Sequence, residues 1–122
     1  MDSLLSGRHI LVVEDEMLIL MTIEDMLDDL GCETVTAAAT IEKALALVGD
    51  QVFDAAMLDM NLGGEESRVV AEALAARGVP FIFSTGNSIH DMWDGFDDCP
   101  VLRKPFMYEE LVAIMTRLLP RP

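Results

Sequence analysis

Positive charge is scarce in this chain. Eight Lys and Arg stand against 22 Asp and Glu, a net charge of −14, and that excess repels phosphate backbones by the same electrostatics that draws basic proteins to them. Direct nucleic-acid binding is therefore not expected. Long apolar runs are missing too: 52% of the residues are hydrophobic, yet charges break every run short of the ~20 residues a membrane span requires. No basic, apolar, small-residue leader opens the chain, so neither membrane insertion nor export is expected and a cytoplasmic location is. Only two cysteines occur, Cys32 and Cys99, far apart and in no metal spacing, so reduced thiols are expected rather than a disulfide. Linkers, internal repeats and low-complexity tracts are also lacking, and 122 residues predict one domain over 1–122.

What the chain does contain is an alternation of short apolar runs with amphipathic helices. Arg8 to Val13 and Ala55 to Leu58 are apolar without polar alternation, the pattern of strands covered on both faces. Glu33 to Ala37, Pro80 to Ser84 and Val101 to Arg103 supply three more strands. From Met17, the positions Leu20, Ile23, Leu27 and Leu30 follow helical spacing and stop at Gly31. Thr40 is placed to cap a second helix with Ile41, Ala44, Leu45 and Val48 inward and Gly49 closing it. A third is predicted from Glu65 and Glu66 to Arg77, with Val70, Ala73 and Leu74 inward. The segment Thr85 to Pro100 offers only Ile89, Met92, Trp93 and Phe96 as an apolar face, so its helix should be short or frayed. Leu111, Ile114, Met115 and Leu118 mark the last helix, which Pro120 ends. Five such units predict an α/β fold, a doubly wound five-stranded parallel sheet with helices on both faces.

In that fold the carboxyl ends of the strands share one edge, which is where open α/β sheets place their chemistry. Glu14 with Asp15, then Asp59, Thr85 and Lys104 lie just past four different buried runs or close their ends, and should converge there. Singly, each has an ordinary explanation: helix-start acids, a turn-capping Asp, a turn-forming Thr, a surface Lys. Together they make more sense around a divalent cation and a phosphoryl group. Crowded carboxylates repel one another unless a hard cation such as Mg²⁺ shares them, and a hydroxyl and an ammonium suit a tetrahedral phosphoryl group.

These pieces resemble the receiver domain of two-component response regulators: the acidic pair after LVV, Asp59 in MLDMNL, Thr85 in FSTG, and Lys104 followed by Pro105 and Phe106. VPFIFSTG is also similar to the Phe-Ala-Thr-Gly-Tyr motif of a subgroup of stand-alone receivers, often phosphate relays or sinks in stress signalling. The resemblance implies a strand order of 2-1-3-4-5 and Mg²⁺-dependent phosphorylation of Asp59 by a sensor histidine kinase or histidine phosphotransfer protein. It implies that Asp15, Asp59 and the Asn61 carbonyl coordinate Mg²⁺, that Glu14 holds a metal-bound water, and that Thr85 and Lys104 bind the phosphoryl oxygens. Signalling would then run through contact with a downstream protein, by a monomer or weak dimer that is not itself an enzyme. A phosphorylation-independent receiver-like interaction module is the alternative.

Departures from the family pattern are specific. Val101 stands where many receivers carry a Tyr or Phe that swings inward on activation, and Asn87 replaces the aromatic of the subgroup motif. Only 19 positions separate Thr85 from Lys104, in keeping with a reduced fourth helix. The usual Pro after the acceptor is absent, and Leu62, Gly63 and Gly64 predict a looser turn. A phosphatase with an aspartyl nucleophile needs a second acid two residues on, where this chain has Asn61; a flavin binder needs a hydroxyl-rich loop after the first strand, where it has acids. His9 and His90 read as surface or strand-edge residues and the nine Met as core filler, while Met92, Trp93 and Phe96 form a candidate docking patch.

Overall fold

The elements run β1 (His9–Val13), α1 (Met17–Asp29), β2 (Thr34–Ala38), α2 (Ile41–Asp50), β3 (Ala55–Asp59), β4 (Asn61–Leu62), β5 (Glu65–Glu66), α3 (Arg68–Ala76), β6 (Phe81–Thr85), β7 (Val101–Arg103) and α4 (Tyr108–Leu118). They are seen in a computed structural model that describes residues 5–86, 93–96 and 98–119. The five long strands form one parallel sheet in the order β2-β1-β3-β6-β7, which is the expected 2-1-3-4-5 order. The predicted fourth helix, with Ile89 and Met92, falls largely outside the described residues, as do Asn87, His90 and Pro120.

Alternation along β1 builds two cores. Ile10 and Val12 pack with Leu20, Ile23 and Leu27 of α1 and Leu111, Ile114 and Met115 of α4. Leu11 and Val13 pack on the other face with Ala44 and Val48 of α2 and Val70 and Leu74 of α3. A strand buried on both faces has no polar side to show, so β1 and β3 read as continuous apolar runs. Among the described residues, no helix is long and apolar enough to cross a membrane.

Local departures from the sequence expectation each have a cause. Ala44 and Val48 centre the buried stripe of α2, so Leu45 turns outward and is partly exposed. Thr40 caps this helix as predicted, its Oγ1 accepting from Lys43 N at 3.1 Å, but the helix passes Gly49 and ends at Asp50. In α3 it is Ala71, with Val70 and Leu74, that is fully buried. Glu65 and Glu66 are not in α3, which begins at Arg68; they pair antiparallel with Leu62 and Asn61. Gly63 and Gly64 form the tip, at φ 57° and 90°, and two consecutive positive φ angles define the tight two-residue hairpin turn. The connection after Asp59 is thus more ordered than the looser turn predicted. Trp93 and Phe96 are buried among Phe81 and Phe83, with edge-on ring contacts of 5.5 and 5.9 Å to Phe83. They are core, so the candidate docking patch does not exist at these two residues.

Candidate functional site

Strand register brings the site residues together. Val13 is paired with Leu58, so the next residues, Glu14 and Asp59, emerge side by side where the winding of the sheet reverses. Asp59 is paired with Ser84 and Thr85 with Arg103; Lys104 follows, its N–H donating to Thr85 O at 2.8 Å. One carboxylate oxygen each from Glu14, Asp15 and Asp59 lies within 4.8 Å of the others. The Lys104 ammonium sits among them, 2.6 Å from Glu14 Oε1 and 2.9 Å from Asp59 Oδ2. Asp59, Asn61, Thr85 and Lys104 line a cleft of 260 Å³. Every residue singled out in the sequence for this edge is therefore at it, and His9 lies elsewhere, exposed at the start of β1.

Burial sets the electrostatics. Glu14 is 1% exposed; burial pushes its carboxyl above the ordinary range, the Asp59 charge adds to this, and the contacts with Lys104 and the Glu16 N–H only partly oppose it. For Lys104 burial acts to lower the ammonium, but the hydrogen bonds and charges of Glu14 and Asp59 outweigh it and hold it above its usual value. The Lys104 ammonium therefore partners buried Glu14 Oε1 directly, at 2.6 Å. Three clustered acids beside the Lys104 ammonium leave negative charge that a hard divalent cation would offset, and an all-oxygen donor set fits Mg²⁺.

Two supports escaped sequence reasoning. Ser67 precedes α3, where a Ser ordinarily caps the helix; instead its buried Oγ donates to Asp59 O at 2.6 Å, and its N–H to Met60 O at 3.0 Å. At the hairpin tip, Gly63 N–H donates to Asp15 Oδ2 at 3.0 Å. The Gly pair was the available signal for a hairpin; its reach across to Asp15 had none.

Beside the cleft, and sharing Gly86 and Lys104 with it, lies a second cavity of 440 Å³ lined by Leu18, Ile19, Ile23 and Phe106. Leu18, which lines this cavity, and Met17 and Met21 of the same helix are exposed at 80%, 65% and 52%.

Comparison with known proteins agrees with this geometry. Residues 10–116 match the response regulator receiver domain family. The solution structure of SdrG from Sphingomonas melonis Fr1 is similar at 48% identity and a TM-score of 0.82, over 95% of this chain and 98% of that one. The BeF3-activated conformation of SdrG is similar at 45% identity and a TM-score of 0.78, over 98% of this chain and 100% of that one. The receiver domain of the sensor histidine kinase PA1611 from Pseudomonas aeruginosa PAO1, with magnesium coordinated in its cleft, is similar at 30% identity and a TM-score of 0.77, over 93% and 98%. No curated protein matches. With a cation-bridged acidic cleft at the switch point of a 2-1-3-4-5 sheet, and a family match spanning nearly all of that sheet, the chain belongs to the response regulator receiver domains.

Proposed function

We propose that the protein is a phosphoacceptor and that Asp59 takes the phosphoryl group from a phosphohistidine of a sensor histidine kinase or histidine phosphotransfer protein. The observation that carries this reading is the single ammonium, Lys104, bridging two of three clustered carboxylates at the sheet edge. One Asp59 oxygen attacks phosphorus, the P–N bond breaks, and its electron pair stays on the imidazole nitrogen. Glu14, Asp15, Asp59 and the Asn61 main-chain carbonyl would hold Mg²⁺, which when bound offsets the negative charge of the incoming phosphoryl oxygens. The magnesium in the PA1611 cleft and the BeF3-activated conformation of SdrG support the same assignment in similar chains.

The chain's own residues do the rest. Asn61 N–H donates to Asp59 Oδ1 at 3.1 Å and Ser67 Oγ fixes the Asp59 carbonyl, so the acceptor carboxylate is held before any donor arrives. Lys104 is released from Asp59 as that oxygen is esterified and turns to the phosphoryl oxygens, with the Thr85 hydroxyl beside it. Donor docking is assigned to the apolar rim of Met17, Leu18 and Met21, which suits a helical partner carrying the histidine. Incubation with a small phosphodonor and Mg²⁺ should add one phosphoryl group by intact mass, and Asp59→Ala should add none. Labelling of that variant would overturn Asp59 as the acceptor, and no labelling of the wild type would leave the phosphorylation-independent interaction module as the better account.

A further inference from the structure

The residues after Asp59 fold straight back on themselves, and the tip of that fold touches an acid from another part of the chain. Asp15 is an exposed residue on the loop between β1 and α1, where a short carboxylate samples several rotamers. Its Oδ2 instead accepts from Gly63 N–H at 3.0 Å, a charge-assisted bond of the stronger kind. The tip is itself fixed. Asn61 Oδ1 accepts from Gly64 N–H at 3.0 Å, Leu62 is buried at 4% exposure, and buried Ser67 closes the base through Met60 O and Asp59 O. The donor is therefore presented by a rigid hairpin anchored to the phosphoacceptor's own backbone.

We propose that the β4–β5 hairpin positions Asp15 for Mg²⁺, with Gly63 as the positioning residue acting through its main-chain N–H. This inference rests on the reading of the cleft as a Mg²⁺ site. Groups that hold a metal's ligands from behind typically change its affinity when lost, and a carboxylate that accepts one N–H keeps lone pairs for a cation. The hairpin also contributes Asn61, so one element would set both the carbonyl and the carboxylate.

Gly63 allows a selective test. A Cβ at this position would meet nothing within 4 Å, so substitution acts through the φ of 57° alone. Asn tolerates that conformation and Val does not. Titration of the full chain with Mg²⁺ by calorimetry should give a Kd about 10-fold weaker for Gly63→Val, while Gly63→Asn keeps the wild-type value. Amide exchange without metal should show Gly63 N–H protected in the wild type and fast in Asp15→Ala, a readout that stands even if the Val variant does not fold. A Gly63→Val Kd equal to wild type, an equal loss in Gly63→Asn, or Gly63 exchange indifferent to Asp15 would each overturn the inference while leaving the cleft's assignment intact. Failure of the wild type to take up Mg²⁺ would overturn both.

Discussion

Replacing Lys104 with Met removes the ammonium that bridges two buried acids, Glu14 and Asp59. The Lys104 side chain is 12% exposed and those of Glu14 and Asp59 are 1% and 9% exposed, so solvent screens these pairs little. Removing one partner of a buried ion pair typically costs about 3–5 kcal/mol, because the charge left behind stays buried. At ~2.1 cal/mol/K of unfolding entropy per residue, 1 kcal/mol shifts the melting midpoint of a chain this size by about 4 °C, so the variant should melt about 12–20 °C below wild type. The pH dependence has a definite sign. The Glu14 carboxyl already lies above its ordinary range, and without the ammonium it rises further. Its ionised form therefore penalises the fold above that raised pKa, and the penalty fades as pH falls through it. The gap between variant and wild type should be widest near neutral pH and narrow in mild acid. Mg²⁺ should close it as well, since Lys104 no longer competes for Glu14 Oε1 and Asp59 Oδ2. Melting curves of both proteins in EDTA, at neutral and mildly acidic pH, and then in Mg²⁺, provide the comparison. A variant that melts with wild type in EDTA, or whose deficit grows in acid, refutes this account of the cluster.

The other predictions are briefer. Asp59→Asn removes one repulsion from Glu14 but also one ion pair with Lys104, and it should gain less melting temperature from Mg²⁺ than wild type does, having lost a charged ligand; an equal gain would count against Asp59 as a ligand. Ser67→Ala leaves the buried Asp59 carbonyl without its hydroxyl donor and should cost about 1–3 kcal/mol in chemical denaturation; an unchanged midpoint would refute that contribution. Lys104 holds its proton above the usual value in the fold, so its contribution is complete below the unfolded lysine pKa and is lost as pH rises through the folded one; wild-type stability should fall there and that of Lys104→Met should not. Phe83 lies two residues before Thr85 and packs edge-on against Trp93, the single tryptophan, so beryllofluoride with Mg²⁺ should shift tryptophan emission, and a flat signal would disconnect that packing from the site.

The large sheet and the acids at its edge were legible because their signals are local and repeated. An apolar run with no polar alternation, ended by an acid, occurs at Val13–Glu14 and again at Leu58–Asp59, and parallel strands force such ends to one side. Contacts across the cleft were not legible in the same way. That Lys104 lies between Glu14 and Asp59, not merely near them, depends on register between β3, β6 and β7, which no spacing along the chain encodes. The hairpin after Asp59 was misread for a narrower reason. Glu65 and Glu66 suit a helix start, and that preference outweighed a Gly pair whose two positive φ angles match a hairpin. Leu45 was misplaced because Ala44 and Val48 already fill the stripe, and the rotation of a helix on its sheet follows packing rather than composition.

The parallel order of the sheet also has a kinetic consequence. The Lys104–Asp59 contact joins residues 45 positions apart, and Gly63 and Asp15 lie 48 apart, so the cleft exists only after long loops have closed in both halves of the chain. Loop-closure entropy makes such contacts slow to form, and a folding transition state that lacks the finished cleft has nothing with which to grip a cation. Interactions absent from the transition state act on the unfolding rate alone. Mg²⁺ should accordingly lengthen the lifetime of the folded chain while leaving its rate of folding unchanged, so that the acidic edge of the sheet serves as a late clasp on the fold.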